Sequence, residues 1–339
     1  MKQQGKCNKI NAKLGVGPMS TEVIEAVFRC SHYDRKELML IASKNQIDYG
    51  GGYVNSWTTE QFIDYLRQMK KLYNNSQVKI CRDHCGPGFN RIDDLKDTYE
   101  TIEHDISNGF DLIHVDFCHF KGNRDEQFKE SKKAIEYSLK LNPNILLEVG
   151  TDENFGANYN LPNLAEIEKE AFYFKSFCEP EFYVVQTGSL VKEINQVGNF
   201  NKRFLENIRN LFKKNGLKIK EHNADYLAGE DIDQRTGLVD AMNIAPQLGV
   251  AQTSLILTKC LMYGVNVNDF LNEVYEGKRW KKWLCENSSE NKMLCCLISG
   301  HYHFSSEKYK KVIKELEKYE DIHETLTNAL MDIINHYVR

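Results

Sequence analysis

Long apolar runs are missing from this 339-residue chain, and no stretch reaches the length of a membrane-spanning helix. The opening MKQQGKCNKINAK lacks the apolar centre of a signal peptide, so a cytoplasmic location is expected. Surplus positive charge is missing too. Lys and Arg number 44 against 48 Asp and Glu, a formal charge of −4, which offers no basic field for nucleic acid and no polybasic membrane patch. Ten cysteines are present, yet none forms a CxxC pair. This excludes a zinc ribbon and a small-domain disulfide framework, and leaves reduced structural thiols. No Ser-, Pro- or Gly-rich linker divides the chain. The segment GVGPMS (15–20) has Gly15 and Gly17 but no third glycine, which argues against a dinucleotide-binding turn.

What is present is a soluble composition, 41% hydrophobic and 27% charged, with a repeating order of elements. Short apolar or β-branched runs stand at 12–17, 38–43, 78–82, 111–116, 144–150, 182–188, 217–222 and 239–245. From the second onward most starts lie 33 to 40 residues apart, the length of one strand plus one crossover helix. Helix signals fill the gaps. Ser20 opens STEVIEAVFRC, Thr58 and Gln61 have capping-box spacing, and Gly216 closes the amphipathic run 201–216. Eight such units predict an α/β fold, a (β/α)8 TIM barrel over residues 1–264, in preference to an open doubly wound sheet. Residues 265–339 read as a helical C-terminal extension packed on the barrel or on a partner.

Chemistry in such a barrel sits at the C-terminal ends of the strands, and here those ends are polar. The second strand ends in Ser43, Asn45 and Gln46, the third in Arg82, Asp83 and His84, and the fourth in Asp116 and His119. The fifth offers Glu148, Thr151 and Asp152, and the sixth Gln186 and Thr187. The seventh gives Glu221, His222, Asn223 and Asp225, and the eighth Asn243 and Gln247. One such residue commonly caps the next helix. Polar ends from seven strands are costly to bury without a ligand, metal or water.

His84 and His222 are the first candidates for a divalent metal, with Glu148 or Gln186 as the third ligand. The cofactor expected is zinc, with manganese or cobalt as alternatives. Asp83 is placed to move a proton, and Glu148 and Asp225 are kept beside it as catalytic carboxylates. Ser43, Asn45, Gln46, Arg82, Asp116, Thr187, Asn223, Asn243 and Gln247 are the substrate-binding set. His104, His114, His301 and His303 are assigned to structure. The segment 245–254 leads into a helix N-terminus, where backbone amides can hold an anion.

IASKNQIDYGGGY, RDHCGP, IHVD, VGT, VVQTG, EHNADY and the tail HYHFSSEKY occur in the order found in the GatZ/KbaZ-like family. The chain resembles these tagatose-bisphosphate aldolase subunits, relatives of the class II aldolases that include keto-sugar 4-epimerases. The resemblance implies a barrel acting on a keto sugar or ketose phosphate of tagatose or fructose type. In it Asp83 is the acid/base and His84 and His222 are metal ligands. Gln186 falls where a catalytic class II aldolase supplies a further histidine. Glu307 stands where the family places an arginine, leaving Lys308, Arg279 or Lys278 as nearby cations. Two readings follow: a metal-dependent retro-aldol enzyme, working as aldolase or 4-epimerase, and a non-catalytic accessory subunit of a separate aldolase. A homo-oligomer or a partner aldolase subunit is the protein partner expected, with no nucleic acid and no membrane.

Overall fold

A computed structural model describes residues 9–90, 94–151, 162–285, 288 and 290–338. All eight expected strands form, and they close into one parallel barrel. In chain order they are β1 (Leu14–Val16), β2 (Glu37–Ser43), β3 (Gln77–Cys85), β4 (Leu112–Val115), β5 (Leu146–Thr151) and β6 (Phe182–Val185). A two-stranded hairpin, β7 (Val191–Lys192) and β8 (Asn195–Gln196), is inserted before the last two barrel strands, β9 (Ile219–Glu221) and β10 (Ala241–Ile244). β1 pairs with both β2 and β10, which closes the ring.

Helices lie outside this ring: α1 (Thr21–Asp34), α2 (Thr59–Leu72), α3 (Leu95–Asn108), α4 (Arg124–Leu141), α5 (Leu164–Lys175), α6 (Lys202–Asn215), α7 (Gly229–Arg235) and α8 (Pro246–Tyr263). Their starts follow the local chemistry. The Ser20 hydroxyl accepts from Val23 N–H, and Thr58 with Gln61 forms the reciprocal capping box. Gly216 ends α6 at φ +66°, a conformation glycine takes without a steric cost.

The pleat sorts side chains with a period of two. Met39, Ile41, Cys81, Leu112, Leu146, Phe182 and Ala241 fill the barrel interior, with Ile10 and Ala12 among them. Alternate residues such as Leu40, Ile80, Ile113, Leu147, Tyr183 and Ile219 face the helices and form the larger core. Two positions beyond the interior apolar layer come Ser43, Asp83, His114, Glu148 and Asn243. The apolar layer is therefore the floor beneath a polar one.

The same period removes Arg82 from the substrate-binding set. It lies one step from Asp83 and faces the helices, where its guanidinium makes a bidentate pair with Asp105 of α3 at 2.6 and 2.7 Å. It also donates to the carbonyls of Ala42 and Ile47. Glu221 faces outward likewise and pairs with Arg235 of α7 at 2.7 Å. Both pairs are fully buried.

The C-terminal extension is helical, as expected: α9 (Asn268–Gly277), α10 (Lys292–Ser299), α11 (Glu307–Leu316) and α12 (Ile322–Tyr337). α8 joins it to the barrel. Leu248 belongs to the barrel core, whereas Ile256 and Cys260 belong to a second core with Phe270, Val274, Leu316 and Leu326. α12 then returns to the barrel, adding Leu330, Ile334 and Tyr337 to its core. No disulfide joins any two of the nine described cysteines. Among the described residues no helix is long and apolar enough to cross a membrane.

Two outcomes are expected from this packing. Arg82→Met leaves the Asp105 carboxylate buried without its cation and should cost about 3–5 kcal/mol in urea unfolding, and adding Asp105→Leu should recover part of the loss. His323 at the start of α12 bonds Glu22 of α1 at 2.7 Å. That bond outweighs partial burial and raises the imidazole to about 9. A raised histidine stabilises the fold fully below about pH 6.5, and the contribution is lost as pH rises through about 9. The gap in thermal midpoint between wild type and His323→Gln should be widest near pH 6 and close by about pH 10.

Candidate active site

Asp83 and His84 are adjacent, so a regular strand would send them to opposite faces. Both nevertheless reach the barrel mouth. Between Arg82 and Cys85 the pairing with β4 slips by one residue, and His84 takes φ +45°. A bulge of this kind re-aims a side chain, and a left-handed non-glycine residue costs about 1–3 kcal/mol. Asn223, directly after His222, repeats the device at φ +55°.

Four ligand atoms meet at this mouth, one each from Asp83, His84, His114 and His222, all within 4.8 Å of one another. Asp83 Oδ1 is 3.9 Å from His84 Nε2, 3.8 Å from His114 Nδ1 and 3.9 Å from His222 Nε2. His84 and His222 approach to 3.2 Å through Nε2 and Nδ1. Each ring also has a fixed partner outside the cluster. His84 Nδ1 meets Asp116 at 2.9 Å, His114 Nε2 meets the Gly150 carbonyl at 2.9 Å, and His222 Nε2 meets Glu148 at 3.1 Å. When Asp116 and Glu148 each receive an N–H, the facing nitrogens of His84 and His222 present lone pairs to each other. That arrangement repels unless a cation lies beside it.

The electrostatics agree. Burial pushes the Asp83 carboxyl up, but His84, His222 and His114 outweigh it and hold the group well below the usual carboxylate range. Asp83 Oδ1 is buried without a hydrogen-bond partner. Glu148 is opposed by burial and favoured by the Lys220 ammonium at 2.6 Å and by the two neighbouring histidines, and its pKa falls to about 2. An orphaned carboxylate oxygen among three anchored imidazoles fits a divalent metal with nitrogen and oxygen ligands.

Above the cluster opens a cavity of about 530 Å³. Ser43, Asn45, Gln46, Asp83, His84, Gln186 and Asn223 line it. Gln186 accepts from Gly188 N–H at 2.8 Å through Oε1. Asn243 lies in the barrel interior, where Gly15 leaves room for its amide.

Several expected residues belong elsewhere. Asp116 does not line the cavity. It holds His84 while accepting from Thr151 Oγ1 at 2.9 Å and Cys118 N–H at 3.0 Å, so it positions a histidine instead of binding substrate. Thr187 donates to Glu221 and lies in the buried cluster around Arg235. Asp225 is a helix cap, because its Oδ1 accepts from Ala245 and Gln247 N–H at 3.0 and 2.8 Å. Those bonds also occupy amides expected to hold an anion at α8. Gln247 accepts from Tyr226 N–H and the Tyr337 hydroxyl, away from the cavity. Glu307 is exposed and pairs with Lys310, and Lys308 faces Glu273. Asp152 lies outside the described residues.

His114 corrects the sequence reading in the other direction. Sitting inside β4 with apolar neighbours, it gave no strand-end signal, yet it lies two positions beyond the interior residue Leu112 and joins the cluster. Lys220 was missed for the same reason. Lys192 of the hairpin and Lys282, Trp283 and Tyr302 of the extension also line the cavity. Only the path of the chain brings them there.

The sequence profile of the D-tagatose-1,6-bisphosphate aldolase subunit GatZ/KbaZ-like family matches residues 1–140. This part of the chain is similar to that family. It runs from the N-terminus through α4 and carries Asp83, His84 and His114. Among solved structures, the chain resembles a probable tagatose 6 phosphate kinase from Sinorhizobium meliloti 1021, at 15% identity and a TM-score of 0.78, over 96% of this chain and 99% of that one. Fructose-bisphosphate aldolase (Fba) from Campylobacter jejuni gives 13% identity and 0.60, over 95% and 90%. The YdjI aldolase from Escherichia coli K12 gives 13% and 0.53, over 91% and 90%. At these identities the likeness establishes the shared barrel. The GatZ/KbaZ-like match adds a sequence relation for the half of the barrel that holds three of the four clustered groups.

If Asp116 fixes the His84 ring, Asp116→Asn should weaken zinc binding about ten- to hundredfold in a chelator competition titration, with the circular dichroism spectrum unchanged.

Proposed function

We propose that the chain is a metal-dependent enzyme that makes or breaks a carbon–carbon bond beside the ketone of a keto sugar or ketose phosphate of tagatose or fructose type. The cluster of Asp83, His84, His114 and His222 beneath an open cavity carries this reading. The three histidines would hold the divalent cation, zinc first and manganese or cobalt as alternatives, with Gln186 close to the same mouth. Such a cation supplies Lewis acidity toward a keto oxygen.

The chain's own groups do the rest. Ionised Asp83 takes the proton of the carbon-4 hydroxyl as the bond between carbons 3 and 4 breaks, and the bonding pair passes to the ketone-bearing fragment. Return of that pair to the opposite aldehyde face gives the 4-epimer, and release gives two fragments. Ser43, Asn45, Gln46 and Asn223 offer hydrogen bonds to hydroxyls along the cavity. Among the described lining residues Asp83 is the only carboxylate, while Lys192 and Lys282 are cationic, a balance suited to an anionic sugar.

The family description as an aldolase subunit favours a second reading, an accessory role for a separate aldolase. One experiment divides the two. Purified protein is assayed for bound metal and offered a panel of keto sugars and their phosphates, scored for epimer and triose products. Asp83→Asn should keep the metal and lower kcat by about 10²–10⁴. Absence of metal uptake together with absence of turnover sinks the enzyme reading. Full stimulation of a partner aldolase by the Asp83→Ala, His84→Ala double variant would establish the accessory one.

A further inference from the structure

His301 belongs to the C-terminal extension, outside the metal cluster, yet it lines the same cavity as Asp83 and His84. It is 1% exposed, and neither ring nitrogen has a hydrogen-bond partner. Leaving both polar atoms of an imidazole unpaired in the interior costs free energy, so a position of this kind needs a compensating reason.

The backbone around it is shaped to put the ring there. His301 lies in a 3-10 turn, Gly300–His303, that packs against α8. A Cβ on Gly249, inside α8, would stand 2.7 Å from His301 Cβ and Cγ and 2.8 Å from Nδ1. A Cβ on Gly300 would stand 2.6 Å from Thr253 Oγ1. The two glycines form reciprocal notches that let the turn press onto the helix. Gly249 weakens α8 relative to alanine, and its return is the seat of the His301 ring. Tyr302 and Tyr53 enclose the ring, with centroids 4.1 and 5.9 Å away.

We propose that His301 is a substrate-reading residue, whose neutral imidazole hydrogen-bonds a hydroxyl of a polyhydroxylated keto-sugar chain through one ring nitrogen. Burial, then the charges of Lys282 and His303, lower its pKa to about 3. The ring is therefore neutral at physiological pH, with one donor and one acceptor, the complement of a hydroxyl. Trp283 and Tyr302 line the same cavity, with Lys282 over both rings. In this arrangement the barrel supplies the reacting groups and the extension supplies discrimination. The proposal rests on the keto-sugar reading of the cavity.

The test is isothermal titration of the zinc-loaded full chain with D-tagatose, D-tagatose 6-phosphate, D-tagatose 1,6-bisphosphate and inorganic phosphate, paired with steady-state kinetics. His301→Phe should bind the sugars about tenfold more weakly and leave inorganic phosphate within threefold. Its KM should rise by a similar factor with kcat within threefold. His301→Gln, which keeps a donor and an acceptor, should stay within threefold of wild type. Gly249→Ala, which displaces the ring without removing a polar atom, should act like His301→Phe. Equal sugar binding by wild type and His301→Phe overturns the proposal, as does equal loss of sugar and phosphate binding. Sugar binding that falls in His301→Phe while the wild type shows no turnover supports His301 and overturns the enzyme reading alone. Failure of every sugar to bind the wild type overturns both.

Discussion

Glu148 is a carboxylate in a place where an isolated one could not stay charged. It is 1% exposed inside the barrel, and burial alone would protonate it. Lys220, equally buried, answers it from the neighbouring face of the barrel. Their mutual attraction keeps both groups charged against the cost of burial, and removing one partner would leave the other charge buried alone. Its consequence reaches upward, since the charged Glu148 orients His222 at 3.1 Å and lies 3.6 Å from His114. One clustered ring, His222, is thus set by the ion pair below it, and His114 lies within its field. Asp116 sets the third from the side.

Local strain completes what this pair begins. Strand alternation would let only one of Asp83 and His84 reach the mouth. The slip against β4 and the left-handed His84 break that alternation where the cluster needs both residues. A strained backbone position persists only when its surroundings fix it, and here the Asp116 contact holds the ring. The cluster and the bulge support each other, so rearranging one without the other is costly.

Much of the fold was legible because barrel strands alternate with helices at a regular spacing, and several helices announce themselves with a cap. Thr58 with Gln61, Ser20 and Gly216 act over one turn and owe little to distant residues. The candidate cluster and cavity lining were legible where a polar residue ends an apolar run, as with Asp83, His84, His222, Ser43 and Gln186. It was illegible where facing decides. Arg82 and Glu221 are strand-end polar residues by position and helix-facing ion pairs by orientation. His114 and Lys220 look like strand interior and point to the clustered groups.

By itself the sequence determined the eight-fold order of strand and helix, the helix caps and the polar strand ends, because these depend on neighbours within a few residues. Tertiary structure alone decided which polar ends share a centre, since strand register and one bulge choose the face each side chain takes. It also decided that Asp225 caps α8 and that Asp116 holds a histidine. Only the folded chain could bring His301, 217 residues beyond His84, to the same cavity. Nothing in the intervening sequence encodes that distance. The packing of a 3-10 turn against two glycine notches does.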